Sequence, residues 1–312
     1  MEKPGIVVVA GPTASGKSAV AVELCRRIGG EVVSADSMQV YRGMDVGTAK
    51  ATREEMGGVP HHMLDVADPD VSFSAAMYGE MAERDVEDIL SRGLVPVVCG
   101  GTGLYIDALT RPMGFARPGD EVIRKRLTEE AEAPGGKERL HEKLMRIDPE
   151  TAGRLSPNDI RRVVRGLEIY ELTGKSQTEL NRLDAEKEDK YNTFMFALEW
   201  PREVLYRRID LRVDEMIRRG LVEEVRRLLD KGLSAGSTAM QALGYKEIAQ
   251  YLSGEISLEE AADRVKMGSR HYAKRQISWF KRDKRTVWIP AEGKTAGEIA
   301  GEIEKRIGYG EM

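Results

Sequence analysis

Cysteine is almost absent: Cys25 and Cys99 are the only two in 312 residues. Two thiols so far apart give neither a disulfide framework nor a zinc-ligand spacing. They suit a reducing compartment, so a cytoplasmic protein is expected. Histidine is nearly as scarce, with His61 and His62 adjacent and His141 and His271 isolated. Neither a metal-binding spacing nor a Ser-His-Asp arrangement can be read from them. No stretch approaches the roughly eighteen apolar residues of a membrane-spanning helix, so no membrane association is expected. The first apolar run starts at Ile6, which leaves no room for a signal peptide. Internal repeats and low-complexity tracts are lacking too. A dominant charge is also missing: 48 Lys and Arg face 52 Asp and Glu, for a net charge of −4. That balance, taken alone, argues against nucleic acid as a partner.

What is present is a globular composition, 41% hydrophobic and 32% charged, of a length that suits one large domain or two ordinary ones. The most informative stretch is Gly11-Pro12-Thr13-Ala14-Ser15-Gly16-Lys17-Ser18, which matches the phosphate-binding loop G-x-x-x-x-G-K-[ST]. Ile6 to Ala10 before it reads as a buried strand, and Ala19 to Ile28 after it as a helix. Glycines let such a loop curl and approach a ligand closely. Successive amides then form an anion nest at the helix N-terminus. Lys17 adds a full charge for terminal phosphate oxygens, and the Ser18 hydroxyl is placed for Mg²⁺. The loop announces a polyphosphate, ATP or another, without saying which.

Glu31 to Ser34 and Val95 to Cys99 read as further strands, the latter after a helix over Ser74 to Ser91. Their hydrophobicity is continuous rather than alternating, as in a parallel sheet covered on both faces. Ligands of open α/β sheets bind outside the carboxyl ends of the strands. The phosphate loop, Ala35 to Gln39 and Gly100 to Gly103 should therefore converge on one site. From about Pro118 to Lys190 the chain is helical and charged. A core strand returns at Thr193 to Glu199, followed by a helix with Leu205, Ile209, Val213, Met216 and Ile217 on one face. A last short strand is expected within Lys284 to Pro290. This pattern predicts an α/β fold with a P-loop core in two parts, 1–116 and 195–312, interrupted by a helical insertion at 117–194. Two sequential domains are the alternative.

Asp36 stands just past the second strand, where a carboxylate can be a base, a metal ligand or a turn former. Gln39 beside it has the donor and acceptor for a base edge. Three glycines in Gly100-Gly101-Thr102-Gly103 suggest close backbone approach to a ligand, although a plain strand-to-helix turn also uses glycine. Arg161, Arg162 and Arg165 cluster in the insertion. From Arg270 to Arg285 seven cations face Asp283 alone, with Tyr272, Trp279 and Phe280 interleaved. Such a run can be a solvated helix face or a phosphate-backbone footprint. A small-molecule or nucleoside kinase, a nucleic-acid-binding NTPase and a group transferase all remain compatible.

The whole chain, however, resembles the bacterial tRNA dimethylallyltransferases. The resemblance rests on Gly11 to Ser18, Asp36 to Tyr41 with Gly47 to Lys50, Pro60-His61-His62, and Gly100 to Tyr105. Ser156 to Asp159 leading into the arginines, Gln241 to Glu247, and Tyr272 to Gln276 extend it. The zinc-finger extension of some eukaryotic members is not in the sequence. The resemblance implies transfer of a dimethylallyl group from its diphosphate to the exocyclic N6 amine of the adenine 3′ to the anticodon. It implies a cytoplasmic, nucleotide-binding-type loop enzyme that acts as a monomer on the tRNA anticodon stem-loop, with Mg²⁺ at Ser18. Gly11, Pro12, Thr13, Ala14, Ser15, Gly16, Lys17, Ser18 and Arg212 would hold the diphosphate, and Asp36, Thr13 and Lys17 would be catalytic. Contacts to tRNA would come from Asp36, Ser37, Met38, Gln39 and Thr102, from Arg124, Arg161, Arg162, Val163, Val164 and Arg165, and from Gln241, Gly244, Tyr245 and Lys246.

Overall fold

The protein is described by a computed structural model covering residues 3–112 and 119–308. The first stretch runs β1 (Gly5–Ala10), α1 (Lys17–Ile28), β2 (Gly30–Ala35), the one-turn α2 (Arg53–Met56), β3 (His61–His62), α3 (Ala75–Ser91), β4 (Val95–Gly100) and α4 (Gly103–Thr110). Then come α5 (Glu121–Glu132), α6 (Gly136–Ile147), α7 (Pro149–Ala152), α8 (Ile160–Thr173) and α9 (Gln177–Ala185). The chain continues through β5 (Asn192–Glu199), α10 (Arg202–Arg218), α11 (Leu221–Asp230), α12 (Tyr245–Leu252), α13 (Leu258–Arg282), β6 (Thr286–Pro290) and α14 (Ala296–Ile307).

These elements form two compact units, one made of residues 1–110 with 190–312 and the other of 111–189. The first contains a six-stranded sheet, all parallel, in the order β3-β2-β4-β1-β5-β6. The continuous apolar run of β1 is explained by two covered faces. Val7 and Val9 pack with α1 and α14 through Leu24, Ile28, Ile299 and Ile303. Ile6, Val8 and Ala10 point the other way, into a cluster with Tyr78, Ile89, Ile106 and Tyr245. The edge strand β3 has no hydrophobic run that could reveal it. It exists because His61 and His62 pair with Val32 and Val33.

The second unit has its own small core of Leu127, Leu140, Leu144, Val163, Val164 and Leu167. Beside it Glu168 is fully buried and neutralised from two sides. Arg124 Nη2 donates to it at 3.1 Å and Arg165 Nη1 at 2.7 Å, and the Asp120 amide adds a third bond. The expected bounds of 117–194 are displaced. Residues Asn192 to Phe194 belong to β5, because they pair with Gly5 to Val7 of β1. The expected boundary between 116 and 117 lies outside the described residues.

Candidate active site

Strand register builds the site. Ala10 lies opposite Gly100, and Gly100 opposite Ala35. Gly11, Asp36 and Gly101 therefore leave the sheet side by side, on neighbouring strands about 4.8 Å apart. Three segments distant in sequence thus border a cavity of about 670 Å³, lined among others by Lys17, Ser18, Asp36, Met38, Arg212 and Tyr272.

The phosphate loop is held open from outside. Gly11 (φ 150°) and Gly16 (φ 89°) take conformations closed to most side chains, and Ala14 shares one of them at φ 62°. Arg208 Nε donates to the Ala14 carbonyl at 2.9 Å, and Trp200 Nε1 to the Ser15 carbonyl at 3.0 Å. With the Ser15 carbonyl turned toward Trp200, the Gly16 amide of the same trans peptide points the opposite way. Ser15 Oγ is buried and has no hydrogen-bond partner among the described residues. A buried hydroxyl without a partner is costly unless a ligand supplies one.

Two cations share this space. Lys17 Nζ bends back to the Pro12 carbonyl at 3.4 Å. Burial lowers its pKa, the nearby Arg212 charge lowers it further, and Cys99 and Asp36 work against the shift. Arg212 Nη2 reaches the Thr48 carbonyl at 3.5 Å, its Nε is buried without a partner, and burial lowers its pKa as well. Neither cation makes a salt bridge among the described residues. Desolvated positive charge of this kind is most stable with an anion bound.

Asp36 stands opposite them. Its Oδ1 accepts the Met38 amide at 2.9 Å, an Asx turn that aims the carboxylate. Ser37 N–H donates to Thr102 Oγ1 at 3.1 Å, and Thr102 N–H to the Ala35 carbonyl at 3.1 Å. Tyr272 of α13 joins them through Thr102 and Gln276. Its hydroxyl is pushed up to about 12, chiefly by burial and then by the Asp36 charge.

Several expected contacts take a different role. The amide of Gln39 is occupied internally: Ser34 Oγ donates to it at 3.1 Å, and its Nε2 donates to the Thr48 carbonyl at 3.2 Å. The glycines of the second loop answer to protein rather than ligand. A Cβ on Gly100 would fall 2.1 Å from the Ala35 carbonyl, on Gly101 2.1 Å from Gln276 Nε2, and on Gly103 2.3 Å from Trp279. Tyr245 is fully buried and donates to Glu224 at 2.6 Å, which places it on the wall of the cavity rather than on the outer surface. Val163 and Val164 are core residues of the second unit. Arg124 and Arg165 are spent on Glu168, whereas Arg161 and Arg162 are exposed and unpaired among the described residues. Gln241 and Lys246 are exposed, with Gln241 Nε2 on the Ala235 carbonyl, and Gly244 (φ 95°) opens α12.

Four residues escaped the sequence reading. Trp200 and Arg208 brace the phosphate loop and stack on each other, the guanidinium 4.2 Å from the ring centre. Glu224 accepts the amides of Asp45, Val46 and Gly47 at 2.8–3.0 Å, pinning the segment whose Thr48 meets Arg212 and Gln39. Gln276 bridges two loops. Only Gln276 carried a signal, as part of the Tyr272 to Gln276 motif; Arg208 and Glu224 look like ordinary residues of amphipathic helices, and Trp200 like an ordinary residue of the turn between β5 and α10.

Comparison with known proteins agrees with this geometry. The IPP transferase family model matches residues 39–283. A tRNA dimethylallyltransferase of Pelotomaculum thermopropionicum is 48% identical over 307 residues, covering 97% of this chain and 96% of its own. One from Geobacter metallireducens is 49% identical over 293 residues, covering 94% of both. The crystal structure of a tRNA isopentenylpyrophosphate transferase from Staphylococcus epidermidis matches with a TM-score of 0.73 at 41% identity, over 98% of this chain and 99% of that one. A eukaryotic dimethylallyltransferase acting on tRNA matches with a TM-score of 0.79 at 29% identity, over 93% of this chain and 74% of that one. The core is that of the P-loop NTPase-like fold, and the chain belongs to the IPP transferase family.

Proposed function

We propose that the protein transfers a dimethylallyl group from dimethylallyl diphosphate to N6 of the adenine 3′-adjacent to the anticodon in tRNA. The observation that carries this reading is the convergence of Lys17, Arg212 and Asp36 on one cavity. Two cations without a salt bridge among the described residues face the Asp36 carboxylate, which is the pattern for a departing anion beside an accepted proton. The names of the relatives favour transfer of a prenyl group over the kinase alternative.

The phosphate-loop amides, Ser15 Oγ, Lys17 and Arg212 hold the diphosphate. As the allylic C–O bond breaks, its electron pair goes to the diphosphate oxygen, where these groups stabilise the growing charge. The N6 lone pair forms the new N–C bond, and the N6 proton goes to Asp36. A carboxylate is a weak base, but an aromatic amine becomes strongly acidic as positive charge develops on it. The target adenine must first leave its stack to reach the cavity.

Mg²⁺ fits the donor set. No cluster of three or more His, Cys, Asp or Glu that could hold a metal occurs among the described residues. Mg²⁺ asks for less, since it keeps several waters and takes one or two protein oxygens beside substrate phosphates. Ser18 and Asp36 offer hard oxygens on the cavity wall, and Ser18 would hold the ion. When bound it would neutralise charge on the leaving diphosphate. Exposed Arg161 and Arg162, with the cations of α13, supply charge for the anticodon stem-loop, and the enzyme acts as a monomer in the cytoplasm. No helix among the described residues is long and apolar enough to cross a membrane.

The test is incubation with Mg²⁺, tRNA and dimethylallyl diphosphate, followed by mass analysis of nucleosides. The expected product is adenosine carrying one isoprenyl group. Phosphate transfer from ATP without that product would establish a kinase instead.

A further inference from the structure

We propose that Gln276 is a positioning residue that sets the separation between the diphosphate cradle and the Asp36 carboxylate. The proposal rests on the transferase reading above. Gln276 lies in the middle of α13 and is 5% exposed. Both ends of its amide are used. The Thr13 amide of the phosphate loop donates to Oε1 at 2.9 Å, and Nε2 donates to the Gly101 carbonyl at 2.9 Å. Thr102 follows Gly101 and accepts the Ser37 amide at 3.1 Å, next to Asp36. A continuous chain of bonds thus runs from Thr13 through Gln276, Gly101 and Thr102 to Ser37.

Two features show that this bridge is built for its place. A side chain at Gly101 would strike Gln276 Nε2, so the loop is shaped around the amide. One turn along α13, Trp279 covers Gly103 and donates to Asp107 at 3.1 Å. Trp279 anchors the helix to α4, while Gln276 reaches the phosphate loop as well. The bridge also commits the Thr13 amide to protein, so the phosphates are left to the amides farther along the loop. Loss of the bridge would let the cradle and Asp36 drift apart while Ser15, Lys17, Arg212 and Asp36 themselves are all retained. Misplacement by about 1 Å can cost about 100-fold in rate.

The experiment compares Gln276→Leu and Gln276→Glu with the wild type in single-turnover transfer, over a range of pH, alongside binding of tRNA and of inorganic pyrophosphate and thermal unfolding. A protonated glutamic acid reproduces the bridge: one oxygen accepts the Thr13 amide and the O–H donates to the Gly101 carbonyl. An ionised one sets a carboxylate against that carbonyl. Rates are taken as ratios to wild type at each pH, so that titration of Asp36, Lys17 and Tyr272, which face the same cavity, and of the adjacent Arg275 cancels. The expected result is a rate for Gln276→Leu lower by about 100-fold, with both affinities within about threefold of wild type. The Gln276→Glu ratio should rise at least about tenfold as pH falls through the titration of the new carboxyl. A pH-independent Glu ratio, or a Leu rate within about threefold of wild type, overturns the proposal. If the Leu variant does not fold, the Glu profile decides alone. Absence of isoprenylated adenosine from the wild type removes the transferase reading, and this role with it.

Discussion

At the scale of the residue, the site depends on side chains whose partners are missing or are chosen with care. Ser15 Oγ and Arg212 Nε are buried without a hydrogen-bond partner among the described residues, and the desolvated Lys17 meets only a long bond to a carbonyl; the polyphosphate would supply what they lack. Asp36 is aimed by the Met38 amide and its charge acts on both Lys17 and Arg212, whereas that of Glu55, also on the cavity wall, acts on Arg212. Under the proposed mechanism Asp36→Asn should lower single-turnover transfer by about 100-fold or more, because it removes the proton acceptor. Binding of tRNA, measured by filter retention, should change little. A loss confined to tRNA binding would take the role of base away from Asp36. Gln39 shows the limit of reading chemistry from a residue type. Its amide suits a base edge, yet Ser34 and Thr48 already use it.

At the scale of the element, helix α8 separates two kinds of arginine that one sequence cluster joins. Arg165 lies toward the buried Glu168, with Arg124 on the other side. Arg161, one turn earlier, and Arg162 face solvent. Arg161→Ala and Arg162→Ala should therefore each weaken tRNA binding and lower the slope of log K against log salt by about 0.7–0.9. An unchanged slope counts against α8 as an RNA-binding element. Arg165→Ala should act differently, costing the 111–189 unit about 2 kcal/mol, because it takes from the buried Glu168 one of its two guanidinium partners among the described residues. Thermal unfolding of that variant checks the distinction. The same contrast explains Val163 and Val164, which share the motif but lie on the buried face of the helix.

At the scale of the whole molecule, the edge of the sheet carries an acid-sensitive clasp. Glu31 of β2 accepts two hydrogen bonds from Arg92, after the end of α3, at 2.6 and 2.8 Å, and one from His62 of β3 at 2.7 Å. The Arg92 bonds hold the Glu31 carboxyl at about 2, below the ordinary value of 4.5. A depressed carboxyl contributes stability that is present above the unfolded value and is lost as pH falls through the folded one. Denaturant midpoints should therefore decline between pH 4.5 and about 2, and Glu31→Gln should flatten that decline. An identical acid profile for wild type and variant would remove Glu31 as its source.

The sequence by itself determined the parallel sheet, the phosphate loop and the position of Asp36. Continuous apolar runs require two covered faces, and the spacing of glycine, lysine and serine has few other uses. It also determined the family, through motifs whose order spans most of the chain. Only the tertiary structure decided which members of each motif face the cavity. Strand register brought Ala10, Gly100 and Ala35 level. Helix packing turned Tyr245 and Val163 inward. Trp200, Arg208, Glu224 and Gln276, each far from the loop it supports, became part of the site because long-range hydrogen bonds join residues that no local pattern connects.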